Sequence, residues 1–261
     1  RHALDLARLR AIPLPRVLTV LHNAGGGTRR HAEELVAYLA KQIVSFSLVP
    51  LPDHFVHLQW EAPNESLQLH YHWPTQSDAL LTMLRDIGIS HVHYHHLLGV
   101  DPEIMLIPQQ LGITYDFTAH DYYTACPQIA LVDTHHNYCG EQGLAQCTAC
   151  LAQRPAPTGE SIEDWRLRHR LFLHNARYLL TPSRDAAQRL QRYFPTANLR
   201  FAPHLDMATD ATVPQPHPRR LSTEAHLRIL VIGAVNEVKG ADILEATALQ
   251  AARTSAPLEF H

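Results

Sequence analysis

The sequence predicts an α/β protein: a Rossmann-like parallel sheet flanked by helices, followed by the truncated start of a second α/β domain. Three observations carry that expectation. Short apolar runs with strand character alternate with helical stretches from Arg16 to Ala202. Glycines close several of the helical stretches, as left-handed helix ends require. After a proline-rich interval, the strand-then-helix pattern restarts at Leu227.

The elements follow in order. Arg16-Val-Leu-Thr-Val-Leu21 is a continuous apolar strand that runs into Asn23 and three glycines. Thr28 is placed to cap a helix covering His31 to Gln42, whose apolar face holds Leu35, Val36, Leu39 and Ala40. Ile43 to Val49, Phe55 to Gln59 and Leu67 to Tyr71 alternate apolar with polar residues as strands do. Ser77 opens a helix from Asp78 to Ile87 closed by Gly88. Ile89 to Tyr94 is a strand, Pro102 to Leu111 a helix with proline in its first turn and Gly112 at its end, and Ile113 to Ala119 a strand. Beyond residue 157, helices from Ser161 to Asn175 and from Ser183 to Tyr193 alternate with strands Tyr178 to Leu180 and Leu199 to Ala202. Strands alternating with helices imply parallel pairing through crossovers.

Residues 122–157 break the rhythm. A connection that long carries either function or its own stabilising centre. The span from Pro203 to Ala225 holds four prolines and few large apolar residues, so it reads as a linker. The expected organisation is therefore residues 1–205 as the first domain with a Cys-rich insertion at 122–157, residues 206–225 as a linker, and residues 226–261 as an incomplete second domain. The start at Arg1 without Met and the strand-like ending Leu258-Glu-Phe-His261 read as a piece of a longer protein.

Composition narrows the function classes. At 46% apolar and 18% charged residues, the 261-residue chain can bury a sizeable core. A net charge of −3 with scattered Lys and Arg offers no basic stripe for duplex nucleic acid. No run approaches the roughly 18 apolar residues of a membrane span, and the N-terminus lacks the apolar core of a signal peptide. The expected location is cytoplasmic, with peripheral contact at the inner face of a membrane allowed. Twenty histidines are the oddity, and they point to metal or anion binding, pH sensitivity or satisfied core positions.

Several constellations carry chemistry. Gly25-Gly26-Gly27 lies between a strand and a helix, where missing β-carbons and unpaired helix N–H groups suit a phosphate; a plain tight turn is the alternative. His91, His93 and His95 share one strand face, where three imidazoles suit a divalent metal; the alternative is the polar exit of a strand, because rings so regularly spaced do not converge tetrahedrally. His120-Asp121 closes its strand at the edge where open α/β sheets bind ligands. His120 is placed to exchange a proton or bind a hydroxyl, and Asp121 to orient an imidazole; a structural hydrogen bond and a cap are the alternatives. Cys126, Cys139, Cys147 and Cys150, separated by twelve, seven and two residues, have the makings of a structural zinc site, an iron–sulfur ligand set, or free or redox thiols. Lys239-Gly240 at the start of the last helix suits a diphosphate or is a solvated helix start.

Taken in order, the pieces resemble the retaining family 4 (group 1) glycosyltransferases of GT-B architecture. They are Gly25-Gly-Gly-x-x-x-His31, His91-Val-His-x-His-His-Leu-Leu-Gly99, Thr118-Ala-His-Asp-Tyr-Tyr-x-x-Cys-Pro127 with trailing cysteines, Thr181-Pro-Ser-Arg184, Pro203-His204 and Gly233-x-x-x-x-x-Lys239-Gly240. The resemblance implies an acceptor-binding domain up to about residue 205 and a donor-binding domain beginning near residue 226. It implies that Gly26 and Gly27 lie under the diphosphate of a nucleotide diphosphosugar, that His120 faces the reacting sugar and the acceptor hydroxyl, and that Lys239 contacts the diphosphate. The acceptor would be a glycan or a lipid-linked molecule, transfer would retain configuration, and no catalytic metal would be needed, so that zinc would be structural. Two departures stand out: Ala234, Val235 and Asn236 fill the stretch where many members carry an arginine, and the family's Glu-x7-Glu pair is missing. The expectation is that this chain alone is inactive. The alternative is a non-catalytic α/β binding module with a zinc-ordered docking loop. A nucleotide-binding oxidoreductase fits less well, because Arg30 replaces the third glycine of its fingerprint and Val49-Pro50-Leu51 lacks a ribose-binding acid.

Overall fold

The computed structural model describes residues 6–62, 65–204, 226–233 and 235–261. Eight strands form one sheet: β1 (Arg16–Val20), β2 (Val44–Pro50), β3 (Phe55–Ala62), β4 (Glu65–His72), β5 (His91–Tyr94), β6 (Thr114–Thr118), β7 (Tyr178–Thr181) and β8 (Leu199–Phe201). Their order across the sheet is β4-β3-β2-β1-β5-β6-β7-β8. From β2 through β1 to β8 every neighbouring pair is parallel. This is the predicted Rossmann-like α/β architecture.

The strands form where apolar residues run or alternate, and what they bury sets the register. Leu18, Val20, Phe46, Leu48, Leu58, Val92, Tyr94, Phe117 and Leu179 are buried in one continuous core. Full burial of each large side chain contributes about 1.5–3 kcal/mol. Helix α1 (Leu6–Ala11) precedes the sheet, and α2 (Gly26–Leu39) links β1 to β2. Helix α3 (Ser77–Ile87) packs Leu80, Leu81, Leu84 and Ile87 into the core and stops at Gly88, whose φ of 82° takes the left-handed cap. A 3-10 turn (Pro102–Leu106) followed by α4 (Ile107–Leu111) joins β5 to β6. Helices α5 (Leu144–Gln153) and α6 (Ile162–Asn175) lie between β6 and β7, and α7 (Arg184–Tyr193) lies between β7 and β8. Ser161 and Ser183 cap α6 and α7 by accepting the amides of Asp164 and Ala186.

Several expectations are corrected. The sheet is not wholly parallel, since β3 runs antiparallel to both β2 and β4. The connection after Pro50 is too short for a parallel crossover, which needs a dozen or more residues. Helix α2 starts at Gly26 with Gly25 as its cap, not at Thr28. The helix expected from Pro102 splits into a 3-10 turn and a short α-helix, with Asp101 accepting the Glu103 amide. The insertion contains α5, and α1 was not anticipated.

Past the proposed linker, whose residues 206–225 lie outside the described ones, β9 (Leu227–Ile229) and β10 (Leu258–Phe260) pair in parallel as a separate sheet. Helix α8 (Ala241–Arg253) joins them. Leu230, Ile232 and Ile243 stay exposed on this unit.

Candidate functional site

The chain leaves β1 for β2 on one side and later returns to place β5 on the other. That reversal is a topological switch point at the carboxyl ends of β1 and β5, the place where doubly wound sheets form a crevice for ligands. The segments after β1, β5, β6 and β8 meet there, and they are rich in histidine.

After β1, His22 Nδ1 accepts the Ala24 amide at 3.0 Å and shapes the turn into α2. Gly25, with φ 72° and ψ −144°, occupies backbone space essentially reserved for glycine. Gly26 is also left-handed, at φ 71°, whereas Gly27 is not among the positive-φ residues. A β-carbon on any of the three would meet no atom within 4 Å, so the turn faces open space. No side chain caps the helix. The first-turn amides, those of Gly26 and Gly27 included, have no acceptor within the helix. A helix start of this kind suits an anion.

Behind the crevice, β5 and β6 are stapled side by side. His91 Nε2 meets Asp116 Oδ2 at 3.2 Å and its Nδ1 meets Thr114 Oγ1 at 2.9 Å, while His93 Nε2 meets Thr118 Oγ1 at 2.8 Å. Arg177 also holds Asp116. Burial would raise the Asp116 carboxyl, but hydrogen bonds from His91 and Arg177 hold it well below the ordinary carboxylate range. His91 and His93 therefore have structural partners and do not form a chelate with His95. His95 leaves the strand end and joins a different group.

That group is built from distant segments. His95 Nδ1 lies 3.2 Å from His120 Nε2. The His31 ring, on the second turn of α2, is 5.6 Å from that of His95 and 5.2 Å from that of His120, and the His204 ring stacks on it at 3.9 Å. Burial, reinforced by the neighbouring imidazoles His31 and His204, pulls His120 down to about 3. Burial also lowers His93 to about 4 and puts His95 well below its ordinary value. These rings are neutral bases at neutral pH.

Asp121 does orient an imidazole, but that of His96 rather than His120. His96 Nδ1 accepts the Leu98 amide at 3.0 Å, which leaves its Nε2–H to donate to Asp121 Oδ2 at 2.8 Å. The other carboxylate oxygen accepts the Tyr123 amide at 2.9 Å, so the capping and orienting roles coexist.

The remaining candidates lie elsewhere. Lys239 is exposed in a 3-10 turn before Gly240, whose φ of 78° caps the start of α8. Cys126, Cys139, Cys147 and Cys150 are free and line one cavity of about 290 Å³. Cys147 and Cys150 come from one face of α5. Burial pushes the Cys126 and Cys150 thiols up, and the Cys147 sulfur accepts from Arg166 at 3.4 Å. Protein contacts hold the segment: Trp165 Nε1 donates to the Tyr123 carbonyl, Gln128 to the Arg154 carbonyl, and Arg166 to the Ala125 carbonyl.

Sequence reasoning did not single out His31, His95 and His204 as a group. A signal existed, because His95 and His204 stand just past strand ends and His31 lies in the helix that follows the glycine turn, but only the sheet order shows that these segments meet.

Neither a protein-family model nor a curated protein matches the chain. Among solved structures, sucrose-phosphate synthase from Thermosynechococcus elongatus is 14% identical with a TM-score of 0.44, over 72% of this chain and 48% of that one. A UDP-glucosyltransferase from Polygonum tinctorium capable of glucosylating indoxyl, in complex with 3,4-dichloroaniline, is 13% identical with a TM-score of 0.40, over 73% and 52%. A PfkB protein from Polaromonas sp. JS666 is 12% identical with a TM-score of 0.22, over 76% and 63%. The chain spans about half the length of the first two. At these scores the likenesses carry no functional argument, which rests on the crevice itself.

Proposed function

We propose that this chain supplies the acceptor-side half of a GT-B glycosyltransferase cleft of the family 4 kind. The polypeptide that carries it transfers a sugar from a nucleotide diphosphosugar to a glycan or lipid-linked acceptor with retention. One observation carries the reading: the uncapped, glycine-opened helix α2 carries His31, whose ring lies 5.2 Å from that of His120 at the switch point of the sheet. Gly26 stands five residues from His31, about 7.5 Å of helix rise, so a diphosphate on the first turn brings its sugar toward the imidazoles.

In this reading the Gly26 and Gly27 amides take the donor diphosphate and His120 meets the reacting sugar and the acceptor hydroxyl. Asp121 is a positioning residue acting through His96, and Lys239 with Gly240 meets the diphosphate from the second unit. The four cysteines hold a structural zinc ion, for which their sulfurs would have to draw together around the cavity they line. The workplace is cytoplasmic, with peripheral contact at the inner face of a membrane allowed. No helix among the described residues is long and apolar enough to cross one.

The test is transfer by the encoded polypeptide containing this chain, offered a panel of nucleotide diphosphosugars with glycan and lipid-linked acceptors. Product with the donor's anomeric configuration is expected. Absence of both transfer and donor hydrolysis across the panel, in protein shown to be folded, would leave the binding-module reading in its place.

A further inference from the structure

Three imidazoles from three elements converge in the crevice with no carboxylate or thiolate among them. One ring nitrogen each of His31, His95 and His120 lies within 4.8 Å of the other two, and among the described residues this is the set of metal-ligating groups that meets so closely. A tetrahedral ion with nitrogen ligands at 2.0–2.1 Å holds them about 3.4 Å apart. His95 and His120, at 3.2 Å, already stand at that spacing. The third nitrogen has to close by at most about 1.4 Å, the difference between 4.8 and that ligand spacing. His31 is half-buried on a helix surface and can make that move by side-chain rotation.

The backbone under the site is firm. His95 is 1% exposed and its amide donates to the Val20 carbonyl at 2.8 Å, while Ala119, before His120, donates to the Leu180 carbonyl at 2.9 Å. Asp121, the nearest carboxylate in sequence, is spent on His96 and Tyr123. The titratable groups that bear on His95 are all imidazoles: His93, His120, His31 and His204. A neutral imidazole has one lone pair, and one of His95 Nδ1 and His120 Nε2 carries the proton of their hydrogen bond; that proton shifts to the far nitrogen of its ring when both bind an ion. The donor set excludes calcium and magnesium, which take oxygen ligands, and suits borderline-soft ions.

We propose that His31, His95 and His120 bind one divalent transition-metal ion of the zinc class, leaving a fourth position open toward His204 and the crevice. A neutral imidazole has a single basic nitrogen. Ligation therefore takes His120 out of proton transfer, and the ion competes with any chemistry that uses this residue. The binding claim stands apart from the glycosyl-transfer reading, because it is measured without a sugar substrate.

The experiment is a cobalt(II) titration of the purified protein followed by visible absorption, with zinc competition. Cobalt on three imidazoles gives d–d bands without sulfur-to-metal charge transfer, whereas cobalt on the cysteines brings an intense near-ultraviolet band. We expect about one equivalent of the sulfur-free form, displaced by zinc. His31→Ala should weaken it at least about 10-fold while the far-ultraviolet circular dichroism stays unchanged, since the substituted side chain is half-buried on a helix. His120→Gln is a second variant with the same expected loss. Only the sulfur-type spectrum, no binding at all, or a sulfur-free site that survives both substitutions would overturn the proposal.

Discussion

The histidine crevice and the cysteine pocket are both clusters of potential metal ligands, yet they are assembled in opposite ways. The cysteines fall within a single insertion between β6 and β7, two of them on one helix, and they were readable as a group from spacing alone. His31, His95, His120 and His204 come from four segments: the first three meet because β1, β5 and β6 are neighbours in the sheet, and His204, after β8, stacks on His31. Electrostatics differ in step. Burial drives the imidazoles down toward the neutral base and the thiols up toward the neutral acid. A group built by topology is invisible until the strand order is known, whereas a group built by spacing can be named without its geometry.

Acid should produce the largest effect and should separate the two regions. His93 and His120, at about 4 and about 3 in the fold, take up protons near 6.5 when unfolded. Between those values the unfolded chain binds more protons, so stability is full above about pH 6.5 and falls as pH drops, by up to about 1.4 kcal/mol per pH unit for each group. The raised thiols change nothing there and cost stability only as pH rises above their ordinary 9.0. Denaturant unfolding at pH 7 and pH 5 checks this: lower stability at pH 5, with a shallower drop in His120→Gln, is expected. Equal stability at the two values would mean that the crevice is not buried as described.

In the encoded polypeptide, His120→Ala should lower turnover by roughly 10² or more with the fold kept, as for a group acting near the reacting centre. Asp121→Asn should act more mildly and through position, because its partner is His96. Steady-state kinetics on both variants decide this; a wild-type kcat in His120→Ala would remove that residue from the chemistry.

Next in size is the glycine turn, where two neighbours differ. Gly25→Ala should cost about 1–3 kcal/mol, because φ 72° with ψ −144° is space that only glycine occupies without strain. Gly27→Ala should cost little, since Gly27 is not among the positive-φ residues and its added carbon meets nothing within 4 Å. Its effect should fall on donor affinity, where a side chain obstructs close approach to the amides. Thermal unfolding and nucleotide-sugar binding, measured side by side, separate backbone strain from lost contact.

Most of the fold was legible because strands of a mainly parallel sheet read as short apolar runs and helix ends announce themselves. Ser161, Ser183, Gly88 and Gly112 each stand at the boundary their chemistry suggests. The failures have physical causes. Helix α5 starts after Gly143, with no capping side chain, and carries its cysteines where apolar residues would mark a face. Thr28 has a capping side chain, but Gly25 and Gly26 turn the chain earlier. At the site, His120 and Asp121 were legible from their strand-end position. The partners of each were not, because the pairs His95–His120 and His96–Asp121 depend on the register between β5 and β6.

The smallest expected effect belongs to the cysteines in the absence of metal. Cys126, Cys139, Cys147 and Cys150 surround a cavity, and the insertion that carries them is already pinned by Trp165, Gln128 and Arg166 and by the buried side chains of Leu131, Val132 and Leu151. Replacing Cys150 by serine removes no hydrogen-bonded ligand in that state, so metal-free stability should move by less than about 0.5–1 kcal/mol. Zinc changes the comparison. If the thiols gather one ion, free zinc at 100 times its dissociation constant stabilises the folded chain by about 2.7 kcal/mol, and Cys150→Ser should abolish most of that increment. Limited proteolysis of residues 122–157 with and without zinc reads the same difference locally. Zinc-dependent protection that vanishes in Cys150→Ser supports the thiolate site, whereas protection that needs no zinc and survives the substitution leaves the insertion as a segment ordered by protein contacts alone.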